Sequence, residues 1–481
     1  MGKALNLAAI ADQAMLDEGF IPEFPKAVEE GLQSITPNEP SGRDLRHLLW
    51  SSIDDGKTRD LDQVEYAESV KTDEIRILIG IADVDAFVRK QSATDAHAFA
   101  NCTSVYAGVK TFPMLPERLS TDLTSLVAKQ DRLVVVTELL VAADGALNSF
   151  NFYRATIRNQ AKLAYDEVGA WLDGKSGPPR SVTAVAGLEE QVRLQAKAAE
   201  RLGEFRKKSG AIELQTIQAV PVFEGDNKLR LKVIEPNAAR ELISNFMIAA
   251  NIAMAKFLED QGGPSLRRVV RLPEHWDRIV EIAADLGEQL PSTPDAGDLA
   301  LFLERRKKAD RIHFPDLSLA VVKALGPGEY TMQGAGEQGE GHFGLAADDY
   351  THSTAPNRRY ADLITQRLVK AALDKDPSPY REDELLLIAA RCTERESASR
   401  KVERKMRKVA AAVLLHDKVG ETFAAIITGV TGKGTFARTI RPPVDGRVVK
   451  GERGLRVGNK TRVRLLSTDP ERGFIDFAIV K

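Results

Sequence analysis

The chain has 481 residues, 43% of them hydrophobic and 28% charged, a balance that excludes a disordered or membrane-embedded chain and allows two or three folded domains. Its net charge of −2 is too small for a simple nucleic-acid binder. The charge is uneven, however: residues 1–40 carry two basic and seven acidic side chains, and residues 419–481 carry twelve and six. An acidic body with a basic tail suits a protein that holds a polyanion at one end and needs carboxylates at its centre, although chance asymmetry accounts for the charges as well.

The first elements expected are helices over 3–19 and 26–35, broken by Pro22 and Pro25 and followed by a linker at Thr36–Gly42. This opening segment is too small for its own core and reads as a brace or a helix-turn-helix-like module. The start at Met1–Asn6 has no leader pattern. Strands are expected at Ile75–Ile81 and at Leu133–Val141, the latter ended by Asp144-Gly145. Amphipathic helices follow near 163–173, 187–206, 238–260 and 275–290, then a long one over about 383–415. No apolar run approaches the roughly 18 residues of a membrane span. The last 63 residues hold five short strands, Phe423–Ile427, Thr435–Ile440, Gly446–Val449, Thr461–Leu466 and Phe474–Ile479, the pattern of an OB-fold barrel. The fold class is therefore α+β, with a helical element over 1–40, a main domain over 41–418 and an all-β barrel over 419–481. Two cysteines, Cys102 and Cys392, have no metal-ligand spacing, which argues against zinc and fits a reducing cytoplasm.

The most informative stretch is Ser52-Ile53-Asp54-Asp55-Gly56-Lys57-Thr58-Arg59-Asp60-Leu61-Asp62-Gln63. Asp60 and Asp62, two apart, share a face in an extended strand, and a turn of this length brings Asp54 beside them. Carboxylates about 4 Å apart repel by on the order of 4 kcal/mol at an effective dielectric near 20. Their grouping makes sense around a hard divalent cation such as magnesium; an acidic surface turn is the commoner fate of such a sequence.

The stretch resembles the signature of the ribonuclease II (RNB) catalytic domain, and further blocks follow in that family's order. They are Ile81-Ala82-Asp83-Val84, Phe112-Pro113-Met114-Leu115-Pro116, Leu119–Leu123, Met247–Asn251, His342–Leu345 and Ala355-Pro356-Asn357-Arg358-Arg359-Tyr360-Ala361-Asp362-Leu363. The resemblance covers about residues 43–415. It implies a magnesium-dependent 3′→5′ exoribonuclease that releases nucleoside 5′-monophosphates from single-stranded RNA, or from structured RNA with a 3′ overhang. No obligate protein partner and no membrane follow from it.

By position, Asp54, Asp60 and Asp62 match the first three catalytic aspartates, while Gln63 replaces the fourth and offers a neutral carbonyl ligand. Arg358 matches the arginine that grips the scissile phosphate, and Arg359 reads as a structural ion-pair partner. Tyr106 matches a tyrosine that stacks on a base near the RNA 3′ end. Leu214 falls where relatives often carry a second aromatic wall, and Ser244-Asn245 replaces an acidic pair. In the terminal barrel, Phe423 and Phe436 fall at the stacking positions of S1-type OB-folds, among Lys433, Arg438, Arg447, Arg462 and Arg464. Basic pairs at Arg400-Lys401, Arg404-Lys405 and Arg407-Lys408 fit RNA contact or a solvated face. His342 and His352 read as structural. Family members usually carry two cold-shock domains ahead of the catalytic one, so the resemblance implies a more open channel here that stalls less at duplexes. The rival reading, motivated by Gln63 and Ser244, is a catalytically weak RNA-binding or regulatory protein that kept the fold.

Overall fold

The computed structural model describes residues 5–33, 35, 41–70, 73–216, 218–224, 228–311, 313–337, 339–432 and 434–480. Most of the expected linker at Thr36–Gly42, together with Met1–Ala4 and Lys433, lies outside the described residues.

A seven-stranded sheet forms the centre, in the order Arg43–Asp44, Leu147–Arg158, Asp131–Val141, Ile75–Ala82, Gln63–Ser69, Ser51–Asp54, Ala161–Ala164. Its middle ladders are antiparallel, and both outer pairs are parallel. Ile75–Ala82 is the central strand, and its run of Ile, Leu and Ala is buried on both faces. Leu147–Arg158 was not expected from sequence: it returns from Asp131–Val141 through a tight hairpin at Gly145, where φ is +92°.

Helices cover the sheet. Leu188–Lys208 and Ala238–Asp260 pack on it and on each other, with Leu242, Phe246, Ala250 and Ala253 of the second helix joining the main core. Asn237 caps the second helix by accepting from the Arg240 N–H at 3.0 Å. The helix is long and apolar enough to cross a membrane by composition alone, and 56% of its apolar window is buried inside the protein. Tyr360–Asp374 is nearly buried throughout its first ten residues.

Glu382–Leu415 is the longest helix and links the parts. One stretch of it joins Leu7–Asp17 in a separate apolar cluster, where Ala11, Ala14 and Met15 meet Ala398, Val402 and Met406. Lys401 pairs with Glu18 and Lys405 with Asp17, so these two basic side chains hold the N-terminal segment. The same cluster contains Val105, Ala107 and Phe112, so the segment also braces the hairpin that carries Tyr106.

A satellite cluster of Trp276–Asp285, Ala296–Ala309 and Phe314–Leu325 has its own core around Phe302; the last two helices were not expected. The five terminal strands close into a barrel in the order Thr422–Thr431, Gly434–Thr439, Asp445–Lys450, Phe474–Val480, Lys460–Asp469. Cys102 and Cys392, distant in sequence, are both buried and free, and their thiols meet in the interior.

Candidate active site

The loop from Asp54 to Asp62 leaves the end of one sheet strand and enters the next, and several contacts fix its course. The Leu61 N–H donates to Ser125 Oγ at 3.0 Å, and that hydroxyl donates to the Arg59 carbonyl at 2.6 Å. The Ala82 N–H donates to the Asp62 carbonyl at 3.0 Å. Lys162 Nζ donates to the carbonyls of Gly56 and Thr58. Ser125 and Lys162 therefore act as supports, and neither was singled out from sequence.

Asp54, Asp60, Asp62, Gln63, Tyr106 and Arg358 all line one cavity of about 240 Å³, with Asp55, Thr58, Tyr165, Ile243, Met247 and Thr354. Six of the expected site residues thus come together from segments spread over most of the chain. Asp62 is only 2% exposed. Its carboxylate accepts from the Asn357 N–H at 3.2 Å and from Arg358 Nε at 3.1 Å. Arg358 lies in the turn just before the Tyr360–Asp374 helix, and its side chain is 44% exposed toward the cavity. The Tyr106 hydroxyl donates to Asp60 at 3.4 Å. The Ser104 N–H donates to the Arg358 carbonyl at 3.0 Å, tying the tyrosine segment to the arginine turn.

Arg359 behaves as expected for a structural residue, forking onto the fully buried Asp362 at 2.7 and 2.8 Å. Asp362 also accepts from the Ala355 N–H at 2.8 Å and so shapes the turn that presents Arg358. His352 is hydrogen-bonded to the Tyr330 hydroxyl, and His342 packs edge-on against Tyr350.

Burial is the main influence on the charges of the site. Burial raises the Asp62 carboxyl to about 7; the Asp60 charge adds to this and Arg358 opposes it. Burial also raises Asp54, opposed by the Asp55 N–H and the Thr58 hydroxyl. Glu65, two residues beyond Gln63, is raised well above its ordinary value by burial and then by the Asp54 charge. A divalent cation reverses this balance. The donor set of carboxylates and one amide carbonyl consists of hard oxygens, which suits such an ion. Among the described residues no three acidic, histidine or cysteine side chains form a closed ligand cluster; Asp62 is held by Arg358 and Asp60 by Tyr106. The residues fit a cation on the condition that Arg358 releases Asp62.

Other expected residues lie elsewhere. Leu214 does not line the cavity; it packs with Ile212 on the Phe302 cluster, where an aliphatic side chain gains more from burial than from a solvated edge. Phe423 is a correction to the stacking assignment: it is 8% exposed and belongs to the barrel interior with Val448, Val463 and Phe477. Phe436 is half-exposed on the outer face, beside Gly429. Phe474, 58% exposed, is the barrel's more open aromatic and was passed over. Arg462 and Arg464 are exposed, whereas Arg438 is paired with Asp445 at 3.1 Å. Asn245 turns from the cavity toward the Leu188–Lys208 helix, donating to the Ala199 carbonyl and accepting from Arg206.

Tyr165 and Arg240 were also missed. The Arg240 guanidinium lies 4.4 Å over the Tyr165 ring and pairs with Asp55 at 3.0 Å, so it ties together two residues that line the cavity. Only their spacing from the acidic loop in space marks them, and no local pattern reveals it.

Residues 42–375 match the RNB domain, and residues 421–480 match the RNase II-type exonuclease C-terminal S1 domain. Ribonuclease R of Escherichia coli K12 is 30% identical over 95% of this chain, but the match spans 60% of that protein's length. The apo form of Mycoplasma genitalium RNase R superposes with a TM-score of 0.88 at 24% identity, covering 98% of this chain and 78% of that one. The same protein in complex with ribose-methylated single-stranded RNA gives 0.88 at 23%, with the same coverage. On the RNB match, which spans well over half its length, and on the cavity just described, the chain belongs to the RNB family, with an S1 domain of the RNase II type at its C-terminal end.

Proposed function

We propose that this protein is a magnesium-dependent 3′→5′ exoribonuclease that shortens single-stranded RNA to nucleoside 5′-monophosphates. The observation that carries the reading is the meeting, in one cavity of an RNB fold, of Asp54, Asp60, Asp62, Gln63, Arg358 and Tyr106. The relatives named Ribonuclease R, and the RNA complex of one of them, support it.

Asp54, Asp60, Asp62 and Gln63 would hold the cation. When bound, it polarises a phosphodiester and lowers the pKa of a water. Arg358, released from Asp62, faces the phosphate and offsets the charge that develops on its oxygens. Tyr106 stacks on a base near the 3′ end, a contact that tolerates any sequence. The narrow cavity admits a strand end and keeps bulk water from the reacting phosphate. The exposed Arg462 and Arg464 of the terminal barrel, with Phe436, grip the incoming strand, so affinity falls as salt rises.

The test is a 5′-labelled oligoadenylate incubated with magnesium and wild-type protein or Asp62→Asn. Laddering to a short limit product in the first, and binding without cleavage in the second, is expected. Equal cleavage by both, or binding with no cleavage by either, refutes the assignment; the second result supports a regulatory RNA binder.

A further inference from the structure

Glu65 stands in the middle of the Gln63–Ser69 strand, opposite Ser51 on one side and Ile79 on the other. It is 0% exposed. Neither of its carboxylate oxygens has a hydrogen-bond partner. Gln195 Nε2 reaches this residue but donates to its backbone carbonyl. The buried Ser51 Oγ and Gln195 Oε1 are likewise without partners, so the polar atoms nearby do not satisfy each other.

A buried acid with neither donor nor counter-ion is costly, and an apolar side chain of similar volume removes that cost. Its place in the strand gives the reason for keeping it. Side chains two apart share a strand face, so Glu65 follows Gln63, a cavity-lining residue, one step deeper on the same face. The Asp54 carboxylate is near enough to act on it electrostatically, and Glu65 acts in the same way on Tyr165. Both neighbours line the cavity. An unpartnered carboxylate therefore sits beside a cavity whose fourth donor is a neutral amide.

We propose that Glu65 is a further ligand of the divalent cation in this cavity, bound directly or through one water, and that it supplies the negative charge the Gln63 amide does not carry. The inference rests on the cation reading of the site. Ions of the magnesium class take six oxygen donors and keep several waters, so one more carboxylate is readily accommodated.

The experiment is a calorimetric titration with manganese(II), a probe for this class of ion, in the absence of RNA. It compares wild type, Glu65→Gln and the double variant Gln63→Asp/Glu65→Gln. Glu65→Gln keeps the shape and is expected to bind manganese about ten- to a hundredfold more weakly. Moving the charge to residue 63 in the double variant is expected to recover most of that loss. Affinity for Glu65→Gln within about twofold of wild type overturns the proposal while leaving the cation site intact. A wild type that binds no manganese overturns the site itself. Should Glu65→Gln fail to fold, anomalous scattering from manganese in wild-type crystals decides the matter. An ion in direct or one-water contact with Glu65 supports the assignment, and one beyond that reach refutes it.

Discussion

Replacing Asp62 with asparagine separates what the acidic cavity costs from what it does. In the cation-free protein, burial holds the Asp62 carboxyl at about 7, against 3.8 in an unfolded chain. The folded value is raised, so this group's contribution to stability is fully present below pH 3.8 and is lost as the pH rises through 7. The span from 3.8 to about 7 is worth about 4 kcal/mol at roughly 1.4 kcal/mol per pKa unit. Asp62 is 2% exposed, so solvent does not screen this cost away, and the pull of Arg358 is already among its causes. Asparagine keeps an acceptor for the Asn357 N–H and carries no charge. In EDTA at pH 8, urea unfolding is expected to find Asp62→Asn more stable than wild type by about 2–4 kcal/mol. At pH 4 the difference should largely vanish. Magnesium should narrow it at pH 8, because a ligand at a hundred times its Kd stabilises only the protein that binds it, by about 2.7 kcal/mol. A variant less stable than wild type at pH 8 without cation would show that the aspartate is comfortable in its pocket and that the electrostatic argument is wrong.

Four further outcomes are expected. Tyr106→Ala should weaken RNA binding by about 1–3 kcal/mol in a filter-binding titration while cation affinity stays unchanged. Gly108→Ala should act in the same direction, because its φ is +81° and a Cβ there would lie 2.4 Å from Pro221 Cγ, displacing the hairpin that carries Tyr106. Gln63→Asp should tighten magnesium binding on the order of tenfold in a calorimetric titration; equal or weaker binding contradicts the ligand assignment. Asp362→Asn breaks a pair whose acid is fully buried and should cost about 3–5 kcal/mol in urea unfolding, with activity falling in parallel as the Arg358 turn loosens.

The parts of the site that sequence made legible are those whose chemistry is local. The spacing of Asp54, Asp60 and Asp62 follows from strand and turn geometry, and the helices at 238–260 and near 383–415 follow from periodicity. Phe423 and Phe436 show where that reading stops. Both lie on barrel strands at plausible stacking positions, but register alone decides which face each presents, and it put Phe423 in the core. Leu147–Arg158 escaped because its polar Asn148, Ser149 and Asn151 blur the alternation, and only its long pairing with Asp131–Val141 makes it a strand.

The chain by itself determined the kind of chemistry: acidic groups at turn-and-strand spacing, a helical layer and a short-stranded basic barrel. Tertiary structure decided who meets whom. Arg358 reaches Asp62 across 296 residues, and Asp60 meets Tyr106 on a hairpin braced by the N-terminal helix. It also decided the fate of Glu65, whose alternation with Val64 and Tyr66 suggests a solvated face. The Leu188–Lys208 helix covers that face of the strand, so a residue that reads as surface is fully buried. The reason is the same in each case. Local sequence fixes backbone period and side-chain charge, whereas burial and field depend on elements that arrive from far along the chain.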